Sequence, residues 1–258
     1  MLTPDEAKAE IEACAAGQRN PGEVETFFGA LQGASNAARV KCKDGSERAI
    51  KRASLGKHVI AEHIVGRIGQ LMGAPVGDVG FVVVPPALSA TQPELVAFGT
   101  TLCHSTAWIP NAGDRLTLEH ANEPYNRDRF ALIVVLYSLA HAEDPQVLYA
   151  ATTPRLVYSV DHGHFLYGGP GSWTEQTLST SPNPSLHRWG SQVELAASEL
   201  SQARTALESV SDNDLEKIVR GPPDEWGATP SLRVALQEYF RRRRAALLAI
   251  LPESGLTI

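Results

Sequence analysis

One lysine, one glutamate and two aspartates lie at positions that suit phosphate chemistry. Lys51 ends a predicted strand, and Glu62 lies on the predicted helix that follows it. Asp144 and Asp161 lie at the two ends of a predicted β-hairpin, so their carboxylates can converge on one cleft. Phosphoryl transfer needs a cation on the phosphates, carboxylates on a metal ion and a group that takes the acceptor's proton. These four side chains can supply each part.

A loop of small residues precedes Lys51 between two predicted strands. It contains Gly33, Ala34, Ser35 and Asn36. Small side chains allow backbone N–H groups to approach phosphate oxygens closely. The loop is neither a Walker motif nor a full GxGxxG, so an ordinary turn is the alternative interpretation.

Several of these residues also have a structural interpretation. Glu62 lies off the apolar stripe of its helix, so it can be a solvated carboxylate, and aspartates in loops commonly cap turns. His162 and His164 have no third metal ligand at a fitting spacing, which favours a role in ordering the loop. The run of arginines at 241–244 is typical of a solvated helix face, with a partner or phosphate surface as the alternative.

The elements that must position these residues are segregated along the chain. A capped helix begins after Thr3, Asp44 and Gly45 predict a hairpin turn, and 99–113 reads as an irregular connector. Strands are predicted over 25–29, 39–43, 47–52, 81–84, 95–98, 146–149 and 156–160, and helices over 58–72, 126–141 and much of 194–251. Segregated strands and helices favour an α+β fold with two lobes. We assign the lobes to residues 1–106 and 107–258.

Composition narrows the class of protein. The chain has 258 residues, of which 43% are hydrophobic and 20% charged, which is typical of a globular protein with a core. The net charge of -6 argues against direct nucleic-acid binding. Cys14, Cys42 and Cys103 fit no zinc or redox motif, and no apolar run reaches the ~20 residues that a membrane span needs. We therefore expect a cytoplasmic protein with free thiols and no membrane contact.

Taken together, these segments resemble the HipA-like kinase family, in particular its shorter bacterial branch. Residues 32–36 resemble the family's phosphate loop, and Ala49-Ile50-Lys51 resembles its strand lysine. Residues 160–164 are similar to its Ile-Asp-His-Gly segment, the equivalent of the kinase Asp-Phe-Gly. Weaker similarities lie at Glu62, Ile68, 73–75, 126–130, 222–226 and 239–244.

The resemblance implies a bilobed protein-kinase-like fold with a β-rich N-lobe and a mainly α-helical C-lobe. It implies ATP and Mg²⁺ as cofactors and a protein serine or threonine hydroxyl as acceptor. Some relatives are toxins that phosphorylate translation components, so a protein substrate or a cognate regulator is the expected partner. The implied roles are nucleotide binding for Gly33, Ala34, Ser35, Asn36, Lys51 and Glu62, base catalysis for Asp144, and magnesium binding for Asp161 and Gln146.

The predicted catalytic loop departs from the family pattern. Members place an asparagine several residues after the catalytic aspartate, whereas Gln146 occupies the corresponding place here and Pro145 replaces the usual arginine. Glutamine is one methylene longer, and magnesium is strict about geometry. Three hypotheses follow: an active protein kinase, a pseudokinase that acts as a nucleotide-binding regulatory module, and a kinase for a lipid or small molecule.

Overall fold

The computed structural model describes residues 1–31, 33, 36–113 and 118–253. The helices are α1 (Pro4–Ala15), α2 (Lys57–Leu71), α3 (Pro86–Ser89), α4 (Pro124–Ala140), α5 (Glu175–Thr180), α6 (Trp189–Gln192), α7 (Ala197–Glu208), α8 (Asp212–Arg220) and α9 (Pro230–Ile250). The strands are β1 (Gly22–Ala30), β2 (Ala38–Cys42), β3 (Glu47–Lys51), β4 (Val79–Val83), β5 (Cys103–Ala107), β6 (Ala112–Gly113), β7 (Gln146–Ala150) and β8 (Val157–Val160). Within these ranges no helix is both long and apolar enough to cross a membrane.

The N-terminal strands form a closed barrel in the order β1-β2-β3-β5-β4. Neighbouring strands are antiparallel except β1 and β4, which pair in parallel and close the barrel. Gly45 turns the β2–β3 hairpin with a φ of 84°, as the Asp-Gly signal predicts. A small core of its own fills the barrel, including Val24, Val40, Ile50 and Val82. The barrel and the helices after it have the predicted α+β organisation, and the boundary at residues 106 and 107 stays a prediction.

One predicted strand is wrong. Residues 95–98 belong to a 3-10 turn that begins at Pro93, whose fixed φ suits the start of a turn. The stretch predicted as an irregular connector instead holds β5 and the two-residue strand β6. His104 and Ser105 on β5 are polar but buried, so hydrophobic alternation does not reveal this strand.

Helix α2 lies at the centre of the molecule. Residues 59–71 are all buried, because α1, α4, α8 and a 3-10 turn at Asp224–Trp226 pack around the helix. Gly66 and Gly69 permit this close packing, since a Cβ on either would lie 2.4 Å from Val79 or 2.9 Å from Val76. A helix buried on nearly every side has little freedom to shift without disturbing the core.

The C-terminal part is mainly helical. Helix α4 packs against α7 and α9, and β6, β7 and β8 form a three-stranded antiparallel sheet beside it. Ser211 and Thr229 cap α8 and α9, as predicted from the sequence. The stretch before α6 holds one element that the sequence did not indicate, the short helix α5.

The arginine run on α9 does not form one solvated face. Arg241 is exposed and pairs with Glu238, as that interpretation expects. Arg243 is buried and donates to the carbonyl oxygens of Ser138 and Leu139, each at 2.7 Å. The last carbonyls of a helix lack partners within the helix, so Arg243 caps the C-terminus of α4.

We predict that Arg243→Ala lowers the free energy of unfolding by about 3 kcal/mol, because it leaves buried carbonyl groups unpaired. The matched control is Arg241→Ala, which removes only an exposed ion pair and should cost less than about 0.5 kcal/mol. Urea unfolding followed by circular dichroism measures both values. Equal costs for the two variants would contradict the capping role.

Candidate active site

The side chain of Lys51 lies between two carboxylates. Its Nζ is 2.7 Å from Oε2 of Glu62 and 2.5 Å from Oδ1 of Asp161. The three residues come from the end of β3, the middle of α2 and the residue after β8. One ammonium group therefore joins the barrel, the central helix and the C-terminal hairpin.

Burial makes these charges interact strongly. Burial alone would lower the pKa of Lys51, but Glu62 and Asp161 outweigh it and hold that pKa above its ordinary value. For Glu62, burial would raise the pKa, but the opposing charge, chiefly that of Lys51, lowers it to about 2. Both groups are therefore charged at neutral pH. The alternative interpretation of Glu62 as a solvated carboxylate is wrong.

The segment after β8 is shaped to reach this ion pair. Asp161 has a φ of 57°, in the left-handed region that non-glycine residues seldom adopt and that often marks functional sites. Gly163 lies against α2, where a Cβ would come within 3.2 Å of Oε2 of Glu62 and 3.3 Å of the His58 carbonyl oxygen. A side chain at this position would push Glu62 or the His58 backbone by a few tenths of an ångström, so glycine suits the close approach of the Asp-His-Gly segment to the helix.

Lys51, Glu62 and Asp161 line a cavity of about 330 Å³ between the barrel and the β7–β8 hairpin. Side chains two residues apart on a strand share a face, so Ala49 joins Lys51 on one wall. By the same rule, Leu148 joins Gln146 on the opposite wall. The segment 106–109, which leaves β5, lines one side. The size and the mixed lining suit a small ligand with an apolar part and a charged part.

Asp144 lies at the edge of this arrangement. Its Oδ2 accepts a hydrogen bond from Gln146 Nε2 at 3.2 Å and lies 3.4 Å from Nδ1 of His164. The side chain is 54% exposed, so a solvent-borne group can reach it. Gln146 pairs with Val160 across the hairpin, which places it beside Asp161. Asp161 lines the cavity and Asp144 does not, so the convergence of the two carboxylates on one cleft stays a prediction.

A buried chain of hydrogen bonds connects the Asp-His-Gly segment with the catalytic loop. His162 Nε2 is 2.7 Å from Ser159 Oγ, which is 2.8 Å from the Tyr137 hydroxyl. Tyr137 donates to the Gln146 carbonyl oxygen at 2.8 Å. The donors are consistent if His162 donates to Ser159 and Ser159 to Tyr137. His162 thus orders the loop, and no group of three or more His, Cys, Asp or Glu side chains that could hold a metal ion occurs in the described ranges.

The small-residue loop can be followed only in part. Gly33 and Asn36 are exposed and have positive φ values of 140° and 45°. Leu31 and Ala37, which flank the loop, line the cavity. Ala34 and Ser35 lie outside the described residues, so their assignment to the nucleotide remains a prediction.

Sequence reasoning missed part of the cavity wall. The residues predicted for the site do not include Ala49 and Leu148, although the strand period places each beside a predicted site residue. His104 and the 106–109 segment could not be found, because the strand that carries them was not predicted. His104 lies behind the ion pair, with its ring packed against those of His63 and Trp226.

No protein-family model and no curated protein matches the sequence. Solved structures do match. The crystal structure of a Helicobacter pylori proinflammatory kinase, CtkA, superposes with a TM-score of 0.60 over 89% of this chain and 94% of that chain, at 10% identity. A crystal structure of the Golgi casein kinase gives a TM-score of 0.42 over 100% of this chain and 78% of that chain, at 7% identity. The first similarity shows that this chain has a kinase-like α+β fold.

We predict that His104 makes the stability of the protein depend on pH. Burial lowers the pKa of His104 to about 3. Below about pH 6.5 this side chain therefore binds a proton in the unfolded chain but stays neutral in the folded chain. The contribution of neutral His104 to the free energy of unfolding is fully present above pH ~6.5 and is lost as pH falls towards the pKa of the folded state. Between those limits the unfolding free energy of His104→Gln should change less steeply with pH than that of wild type, by about 1.4 kcal/mol per pH unit. Denaturant unfolding across this range measures the slopes, and identical slopes would refute the prediction.

Proposed function

We propose that the chain is an ATP- and magnesium-dependent kinase of the HipA-like type that phosphorylates a serine or threonine hydroxyl of a protein. The observation that carries the proposal is the bridge from Lys51 to Glu62 and Asp161 at the wall of the cavity. In kinases a strand lysine held by a helix glutamate positions the phosphates, and the aspartate of the Asp-Phe-Gly segment holds magnesium.

The cavity lining supports a nucleotide as its ligand. Ala49 and Leu148 form opposite apolar walls, and the small alanine leaves room for a flat base. Residues 106–109 line one side of the cavity, next to the proposed place of the base. With the base in this slot, the phosphates extend towards Lys51.

The residues near Asp161 fit magnesium better than a transition metal. Its carboxylate and the amide oxygen of Gln146 are hard oxygen ligands, of the kind that Mg²⁺ prefers. Magnesium at kinase sites takes few protein ligands, because phosphates and water supply the others. When bound, the ion neutralises charge on the β- and γ-phosphates. Asp161 and Gln146 would hold it.

Asp144 is placed to act on the acceptor. In the transfer, the acceptor oxygen bonds to the γ-phosphorus while the bond from that phosphorus to the β–γ bridging oxygen breaks, and ADP leaves. The proton of the hydroxyl passes to the Asp144 carboxylate. Gln146 and His164 hold that carboxylate from two sides, while its exposure leaves room for the acceptor.

A specific feature favours a second candidate, a pseudokinase that binds nucleotide as a regulatory module. The Gln146 side chain donates to Asp144, so the amide at the metal-binding position is engaged with the proposed base. Pro145 also stands where the family has an arginine. Such a protein would bind ATP and magnesium but transfer no phosphate.

We predict that Lys51→Met weakens ATP binding at least about tenfold, because it removes a charge-assisted contact to the phosphates and leaves two facing carboxylates. Isothermal titration with ATP and magnesium measures the affinity. The control is Lys217→Met, which removes a lysine on α8 that pairs with the exposed Glu12 and should leave the affinity unchanged. Melting temperatures of both variants report on folding. Unchanged ATP affinity in folded Lys51→Met would contradict the nucleotide site.

Phosphate transfer from labelled ATP to candidate proteins tests the activity itself. We expect transfer by wild type and a loss of at least about a hundredfold in Asp144→Asn and in Asp161→Asn, since each removes a group needed at the transition state. The matched control Asp224→Asn alters an aspartate that is 93% exposed and should retain full activity.

The outcomes of this assay separate the hypotheses. ATP binding without transfer to any protein, lipid or small molecule would support the pseudokinase. Mass spectrometry that finds only phosphorylated lipids or small molecules would replace the protein acceptor with that class.

A further inference from the structure

A second cavity lies between α1, α2 and the barrel, and the proposed function does not use it. Its volume is about 460 Å³, and its walls come from α1, α2, β3, β4, the start of β1 with the residues before it, and the β2–β3 turn. Val79 lines both cavities and separates them. Two guanidinium groups, those of Arg48 and Arg67, line this second cavity.

Arg67 is buried but not fully paired. Its side chain is 3% exposed, and Nη1 donates to Glu10 Oε2 at 2.7 Å and to Gln70 Oε1 at 3.2 Å. Its Nε is buried and has no hydrogen-bond partner in the part of the chain that the structure describes. A buried donor without a partner is costly and is commonly satisfied by water or by a ligand.

Arg48 is a cation that no described carboxylate contacts directly, although the charge of Asp44, which also lines the cavity, acts on it. Its Nη1 donates to two uncharged oxygens, the carbonyl of Asp78 at 3.3 Å and the hydroxyl of Ser105 at 3.2 Å. Among the described residues no carboxylate forms a salt bridge with it, whereas Lys43 at the cavity rim is paired with Glu23 at 2.5 Å. The two guanidinium groups therefore have one direct carboxylate contact, that of Glu10 with Arg67, while the Asp44 charge acts on Arg48 without a salt bridge.

We propose that this cavity is a second ligand site, which binds a small molecule through a phosphate or carboxylate oxyanion placed between Arg48 and Arg67. Guanidinium groups match both oxyanions with paired, charge-assisted hydrogen bonds. Glu10 fills part of this role in the free chain. Its side chain is 47% exposed, so it can swing into solvent when a ligand takes its place.

The location of the two arginines couples this site to the first cavity. Strand β3 carries both Arg48 and Lys51, and α2 carries both Arg67 and Glu62. An anion bound to the two arginines therefore joins the same two elements as the Lys51–Glu62 ion pair. It favours the arrangement in which Lys51 is held ready for phosphates, so it strengthens nucleotide binding. This coupling rests on the proposed function, whereas the anion site itself does not.

Isothermal titration with inorganic phosphate and with succinate, against chloride at equal ionic strength, tests the site and distinguishes the two oxyanions. All titrations use Lys51→Met protein, because phosphate can also bind Lys51 in the first cavity. We expect at least one probe to bind, with affinity about tenfold weaker after Arg48→Gln and severalfold tighter after Glu10→Gln. Arg48→Lys, which keeps the charge but loses the fork, should be intermediate. It serves in place of Arg48→Gln if that variant does not fold.

Absence of binding by both probes, or equal affinities in the parent, the Arg48 variants and Glu10→Gln, would overturn the second site. For the coupling, ATP affinity is measured with and without the probe that binds, in protein with Lys51 intact. Competition at Lys51 weakens ATP binding equally in wild type and in the Arg48 variant. The ATP affinity of wild type divided by that of the Arg48 variant therefore reports on the second site alone. We expect the probe to raise this ratio of affinities about fivefold. If ATP does not bind while the probe still binds Lys51→Met, the proposed nucleotide function fails and the second site stands.

Discussion

The buried ammonium group of Lys51 joins three parts of the fold, and the rest of the structure depends on this interaction. Lys51 reaches Glu62 on α2 and Asp161 after β8, so the barrel, the central helix and the C-terminal hairpin meet at one atom. Removing an ion from water costs free energy, and this cost is offset only if oppositely charged groups lie at hydrogen-bonding distance in the buried site. The surrounding structure therefore has to fix both carboxylates, and much of the fold serves that purpose.

Glu62 is fixed because α2 has almost no free face. Packing by α1 and α8 buries the helix from behind, and the 3-10 turn at Asp224–Trp226 covers its flank. Trp226 Nε1 donates to the Leu102 carbonyl oxygen at 2.6 Å, which ties the C-terminal part to the strand β5 that pairs with β3. Movement of α2 away from Lys51 would break these contacts together. The lysine–glutamate pair is thus assembled by the chain itself.

Asp161 and the loop that carries Asp144 are fixed from the other side. A chain of hydrogen bonds runs from His162 through Ser159 and Tyr137 to the backbone carbonyl of Gln146, and it holds both ends of the hairpin. The Asp144 side chain remains largely in solvent, where Gln146 and His164 contact it. Rigid support under Lys51, Glu62 and Asp161, with an open aspartate at the edge, is the distribution of order that the proposed transfer to a large acceptor would require.

The sequence by itself determined the parts that depend on neighbouring residues. These include the capped helix after Thr3, the Asp-Gly hairpin, the strand that ends at Lys51, and the hairpin between Asp144 and Asp161. Propensities, caps and turns are local, so they can be read from a short window. Only the tertiary structure decided the position of β5, the burial of Glu62 and the inward turn of Arg243. Each of these depends on contacts with residues far away in the sequence, and such contacts can bury polar side chains that the local pattern assigns to solvent.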